Sequence, residues 1–291
     1  RNLLQQNPFD AGIDPLRLRV RQQYEEILFS AYDYALRNDV EQMLWKTVFY
    51  KPIEAYRRRI REYANAGSRG NNDAQVKMTH YCKLFRDFLA DASLFYQNLI
   101  QKLHNTFYLP SVQKTIEGTE FLVHTSPPNA QETNEQTPQE EHKSIHSCYR
   151  CYIFLGDLTR YHRDLHEEKE RNTWVNAYTY YQKAMFLLPE NGNPHNQMAV
   201  LATYHEDEFE SVYRYYRSLA VRKPFQTARD NLAVLFDKNR KRNDNLAERI
   251  SHLAAQIGKR NGKGKGKRGN TAQNQEILKC FLRGFVRLHG I

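Results

Sequence analysis

The apolar positions Leu16, Val20, Tyr24, Ile27, Leu28, Ala31 and Ala35 recur at spacings of three and four, which lays one apolar stripe along an α-helix and predicts a helix over 16–38. Pro15 stands where a helix can begin without losing a hydrogen bond. A second helical run covers 40–66 and stops at Gly67, and Pro52 inside it is expected to kink or divide the helix. A third covers 76–109, with Pro110 read as its stop signal. These three runs are expected to pack as one bundle. The stretch 126–144, SPPNAQETNEQTPQEEHKS, has almost no aliphatic residues and reads as a mobile linker or insertion.

Helical spacing returns over 147–165, 173–188, 195–204, 208–221 and 227–239. Pro189 and Pro224 close two of these units 35 residues apart, close to the tetratricopeptide period. Ala177, Tyr181 and Ala184 fall where the second helix of such a repeat lets its neighbour approach closely. A further helix is expected over 245–257, then a basic loop over 259–270, where alternating Gly and Lys cannot build a core, then a last amphipathic helix over 272–288. The expected organisation is therefore a helical domain over 14–240 and an extension over 241–291.

Composition supports this reading and adds a charge. Of 291 residues 40% are hydrophobic and 12% aromatic, while Gly and Pro number only 13 and 10, as suits long helices. The formal net charge of +10 favours anionic partners: phosphoprotein, nucleic acid or an acidic surface. Four cysteines without regular spacing suggest a reducing compartment. No run approaches a membrane span, and RNLLQQNPFD lacks the apolar segment of a signal peptide, so a soluble intracellular setting is expected, with ends cut from a longer chain.

Two constellations carry chemistry. In YKPIEAYRRR, Lys51 and Arg58 are seven apart, two turns along nearly the same helix face. In LGDLTRYHR, Arg160 lies beside the apolar stripe of its helix, where a guanidinium needs an anionic partner. Asp157, one turn earlier, is one such partner, and a bound phosphate is another, with Tyr161 adding a hydroxyl. Cys148 and Cys151 form CYRC, but no second pair completes four zinc ligands, so no metal is expected. HRDL at 162–165 lacks the other kinase motifs, and GKGKGKRG lacks the Ser or Thr of a P-loop. No enzyme and no cofactor are expected. Lys263, Lys265, Lys267 and Arg268 of the basic loop suit nucleic-acid backbone contacts, although no aromatics interleave them for base stacking.

The strings LWKTVFYKPIEAYRRRI, CYRCYIFLGDLTRYHRDL, YYQKAMFLLPENGNPHNQMAVLA and VYRYYRSLAVRKPFQTARDNLAVLFDKN resemble the nonsense-mediated mRNA decay and telomerase-associated adaptors (Ever-Shorter-Telomeres-like). The resemblance spans about 16–239. It implies an all-α, 14-3-3-like, tetratricopeptide-type right-handed solenoid followed by the start of a helical-hairpin extension. It also implies a phosphoserine or phosphothreonine adaptor whose partner is a phosphorylated decay-helicase-like protein, in cytoplasm and nucleus. Further implied partners are a paralogue in a heterodimer and RNA or single-stranded telomeric DNA. Carried over by motif, the phosphopeptide site comprises Lys51 and Arg58, Arg160 and Tyr161, with Asn196 and Asn231 on the peptide backbone. Pro52 beside Lys51 leaves Lys46 and Arg57 open as alternatives on that helix.

Overall fold

In a computed structural model, which describes residues 12–68, 70–117, 138–162, 171–242, 248, 251 and 271–289, the three-and-four spacing folds as helix, and no strand occurs among the described residues. The chain divides into two compact units, Arg1–Leu188 and Pro189–Ile291.

The first unit opens with α1 (Ile13–Ser30) and α2 (Tyr32–Arg37), where one helix is predicted over 16–38; Ala31 leaves helical geometry at φ −143° and separates them. Then α3 (Val40–Leu44), a π-helical turn (Trp45–Tyr50) and α4 (Lys51–Gly67) follow without a break. The Lys51 N–H donates to the Lys46 carbonyl, five residues back. Pro52 has no N–H, and its ring would meet the carbonyl four residues earlier in a regular α-helix; the wider turn absorbs that conflict. Pro52 therefore changes the helix's pitch where a kink or break is predicted.

α5 (Asn72–Phe107) is capped by Asn71, whose side chain accepts from the Ala74 N–H at 3.1 Å, and ends at Tyr108 in the left-handed region, φ 46°. Pro110, predicted as a stop, is also the first residue of α6 (Pro110–Glu117), because its fixed φ suits a helix start as well as it blocks a continuation. α7 (Pro138–His162) begins inside the predicted linker, again at a proline, so 138–144 is helical; 118–137 lies outside the described residues. α8 (Arg171–Leu187) packs along α7, and α5 packs on both α4 and α7.

Leu44, Phe49, Ile53, Phe85, Leu89, Tyr96, Leu99, Leu155 and Tyr181 are almost wholly buried, each apolar side chain contributing roughly 1.5–3 kcal/mol. Trp45 stacks on Phe154 with centroids 4.5 Å apart and planes 8° from parallel, joining the π turn to α7. Arg150 of α7 donates to Glu41 at 3.2 Å and Asp39 at 3.1 Å, and Tyr32 and Ser147 share a 2.7 Å hydrogen bond. Ala177, Tyr181 and Ala184 are fully buried, as the repeat spacing predicts. Opposite them a Cβ on Gly156 would lie 2.3 Å from Tyr181 Cε1, so only glycine lets the two helices approach this closely.

The second unit contains α9 (Asn193–Tyr204), α10 (Glu208–Ala220), α11 (Thr227–Arg242) and α12 (Thr271–His289). Ala199, Val212, Tyr215, Ala228, Leu232, Leu235 and Val286 form its core. The two proline-marked turns are fastened by main chain: Lys223 N–H donates to the Glu190 carbonyl at 2.8 Å and Gly192 N–H to the Lys223 carbonyl at 2.9 Å. Ser218 adds a hydroxyl bond to the Gly192 carbonyl at 2.7 Å. A Cβ on Gly192 would lie 2.2 Å from the Ser218 carbonyl oxygen. Of the helix predicted over 245–257 only 248 and 251 are described, both helical, and the basic loop 259–270 lies outside the described residues.

Candidate anion-binding site

α7 turns Tyr152, Leu155 and Leu158 inward, and the next positions on that flank are Arg160 and Tyr161. Arg160 Nη2 donates to Asp157 Oδ1 at 3.0 Å, and the two side chains are only 14% and 13% exposed. The Tyr181 hydroxyl donates to the same oxygen at 2.7 Å. Burial works against the charge on Arg160, but Asp157 foremost, with Tyr181 and Tyr161, more than offsets it, and the guanidinium holds its proton more tightly than usual. Asp157 therefore fixes one edge of the fork. The Arg160 Nε is buried and has no hydrogen-bond partner among the described residues.

Tyr161 is the meeting point of two cations. Its ring lies 4.9 Å from the Arg160 guanidinium carbon and 4.8 Å from that of Arg57, which α4 supplies. Burial first, then Asp157, pushes the Tyr161 hydroxyl above its ordinary range, so it stays a neutral donor. Tyr50, two turns before Arg57, belongs to the same neighbourhood: its pKa is raised by burial and by a hydrogen bond to Glu54, and it senses both Arg57 and Asp157.

Of the predicted residues, Arg160 and Tyr161 are thus brought together, and the α4 cation beside them is Arg57, the alternative left open beside Lys51. Lys51 is partly buried and Arg58 exposed, and among the described residues neither has a side-chain hydrogen bond, ion pair or ring contact with this cluster. Ile53, Tyr56 and Ile60 face the core; residues 57 and 58 are about 100° apart, so that packing decides which arginine faces Tyr161. Asn196 and Asn231 lie in the second unit, where Asn231 Nδ2 donates to Asn196 Oδ1 at 3.1 Å. Lys263, Lys265, Lys267 and Arg268 lie outside the described residues. Cys148 and Cys151 are buried in α7, and burial raises both thiols. Sequence reasoning missed Gly156 and Tyr181 as supports of the site; the glycine in LGDL was the available signal.

The family model described as "Telomerase activating protein Est1" matches residues 39–166, and that described as "Est1 DNA/RNA binding domain" matches 177–291. The chain is 33% identical over 313 aligned positions to the nonsense-mediated mRNA decay factor SMG7 of Arabidopsis thaliana, covering 98% of itself. It belongs to the Est1-like family of mRNA-decay and telomerase-associated proteins. This Est1-like chain is also 28% identical to the telomerase-binding protein EST1A of Danio rerio across 90% of its length. It spans 28% of the length of the former relative and 15% of the latter. A solved structure of Est1 and Cdc13 shares its all-helical, solenoid-like fold, with a TM-score of 0.61 at 16% identity, over 95% of this chain and 50% of that one. No helix among the described residues is long and apolar enough to cross a membrane.

Proposed function

We propose that this Est1-like chain is an adaptor that binds, without turning over, a phosphoserine or phosphothreonine segment of a decay-helicase-like protein in nonsense-mediated mRNA decay. The observation that carries the reading is the buried Nε of Arg160, without a partner among the described residues, beside the second cation, Arg57, on one tyrosine ring. An unmet buried donor costs about 1–3 kcal/mol, and an arriving phosphate oxygen would remove that cost with a charge-assisted hydrogen bond. Lys51 and Arg58 then flank the phosphate from α4. A paralogue fits as heterodimer partner, and cytoplasm and nucleus as its compartments.

Calorimetric titration with a phosphorylated helicase-tail peptide and its unphosphorylated form tests this. The phosphorylated peptide binds more tightly, Arg160→Glu removes the preference, and Arg57→Glu weakens binding more than Arg58→Glu. Equal affinity for the two peptides would sink the reading.

A second reading has its own support: the family model over 177–291 is described by DNA or RNA binding. In it the second unit holds RNA or single-stranded DNA. Deleting 262–269 reduces retention on immobilised oligonucleotide if the basic loop carries it.

A further inference from the structure

α10 turns Ser211, Val212, Tyr215 and Ser218 into the second unit and leaves Phe209, Tyr213, Tyr216 and Arg217 outward. Phe209 has a ring neighbour in Phe285, at 5.7 Å. Tyr213 and Tyr216 are 46% and 45% exposed, and Tyr216 has no ring partner among the described residues. They are three residues apart, about 4.5 Å along the axis, and share one flank with Arg217, one turn beyond Tyr213. Arg214 lies over the Tyr213 ring at 5.3 Å and steadies it.

The charges on this face are not balanced. Glu210 is taken by Arg214 at 2.7 Å, Glu208 by Arg242 at 3.3 Å and Glu190 by Lys223 at 3.3 Å. Arg217 and Arg222 are exposed and meet no carboxylate among the described residues. Open rings with the unopposed Arg217 on the same flank, and Arg222 two residues past the end of the helix, match a polyanion whose flat groups are free to stack, which means unpaired bases rather than a duplex, whose bases are already stacked on each other.

We infer that the outer face of α10 is a single-stranded nucleic-acid surface, with bases stacked on Tyr213 and Tyr216 and phosphates held by Arg217 and Arg222. This rests on the second reading above and moves its centre from the basic loop to a helix.

Fluorescence anisotropy of the full chain with labelled oligo-dT and oligo-U of about 15 nucleotides, against a duplex of equal length, tests it. The unaltered chain prefers the single strands. Tyr213→Ala with Tyr216→Ala weakens single-strand binding at least about tenfold and leaves the salt dependence unchanged, because stacking releases no counterions. Tyr213→Phe with Tyr216→Phe retains affinity. Arg217→Glu with Arg222→Glu lowers the slope of log affinity against log salt by about 1.4, two phosphates' worth. Both rings lie at the surface, so the helical circular dichroism of every variant matches the parent. Binding by the unaltered chain that survives the double alanine change, or that disappears only on deletion of 262–269, overturns the α10 surface and leaves the second reading standing. Absence of oligonucleotide binding by the unaltered chain overturns both.

Discussion

Replacing Gly156 by alanine sets two opposite effects against each other. In a helix interior alanine is better than glycine by roughly 0.5–1 kcal/mol. Here, however, the new methyl would lie 2.3 Å from Tyr181 Cε1 and 2.7 Å from Cδ1 and Cζ. Comfortable carbon contacts begin near 3.5 Å, so the ring must retreat by about 1 Å. Tyr181 is completely buried, and its retreat displaces packed neighbours at about 1–3 kcal/mol. It also draws the hydroxyl from Asp157, a bond worth about 0.5–1.5 kcal/mol, and so loosens the carboxylate that aims Arg160. The net expectation is destabilisation by about 1–3 kcal/mol, a fall in melting temperature of several degrees by calorimetry. Phosphopeptide affinity falls too, by less than in Arg160→Glu, since the cation remains. In a Tyr181→Leu background the same glycine change should be close to neutral, because the offending ring is gone; this is a double-mutant cycle. If Gly156→Ala raises the melting temperature equally in both backgrounds, the steric account of this glycine is refuted.

Other perturbations test other parts of the structure. His195 is buried beside Arg214 and Arg217, and burial first, then these cations, holds its pKa down to about 4. The unfolded chain therefore binds a proton near pH 6.5 that the folded chain refuses, so stability is lost as pH falls from about 6.5 towards 4, by roughly 3 kcal/mol at most; His195→Gln flattens that part of a urea-unfolding pH profile. Arg150→Ala leaves the carboxylate of Glu41, which is 6% exposed, with the Ser147 hydroxyl but no cation, and destabilises the chain by about 3 kcal/mol at neutral pH. Because burial raises the pKa of Glu41 most, adding Glu41→Gln recovers part of that loss, which chemical denaturation measures directly. Gly192→Ala sets a methyl against main chain that no rotamer can move aside, and a urea midpoint lower than that of Gly156→Ala is expected.

Helical character was legible from spacing alone, because a 3.6-residue period leaves a direct trace in apolar positions. What was not legible depended on residues meeting from afar. Pro110 looked like a break and Pro138 lay in the expected linker, yet each opens a helix, since a fixed φ suits a helix start. The π turn left no compositional mark; it follows from how Trp45 meets Phe154 and how Pro52 is accommodated. Arg160 and its partner Asp157 were visible as neighbours on one helix. Among Arg57, Arg58 and Arg59 the sequence is silent, because three like residues differ only in direction. Their directions are set by Ile53, Tyr56 and Ile60 against the core.

A π turn holds one residue more than the α turn it replaces. In evolutionary terms, the stretch Trp45–Tyr50 has the form of an insertion that a helix accommodated without becoming a loop. Removing one residue from it would turn everything after it by about 100° relative to everything before it, which is the angle between Arg57 and Arg58 on their helix. The length of this one turn is thus a setting that decides which arginine of α4 is presented to Tyr161.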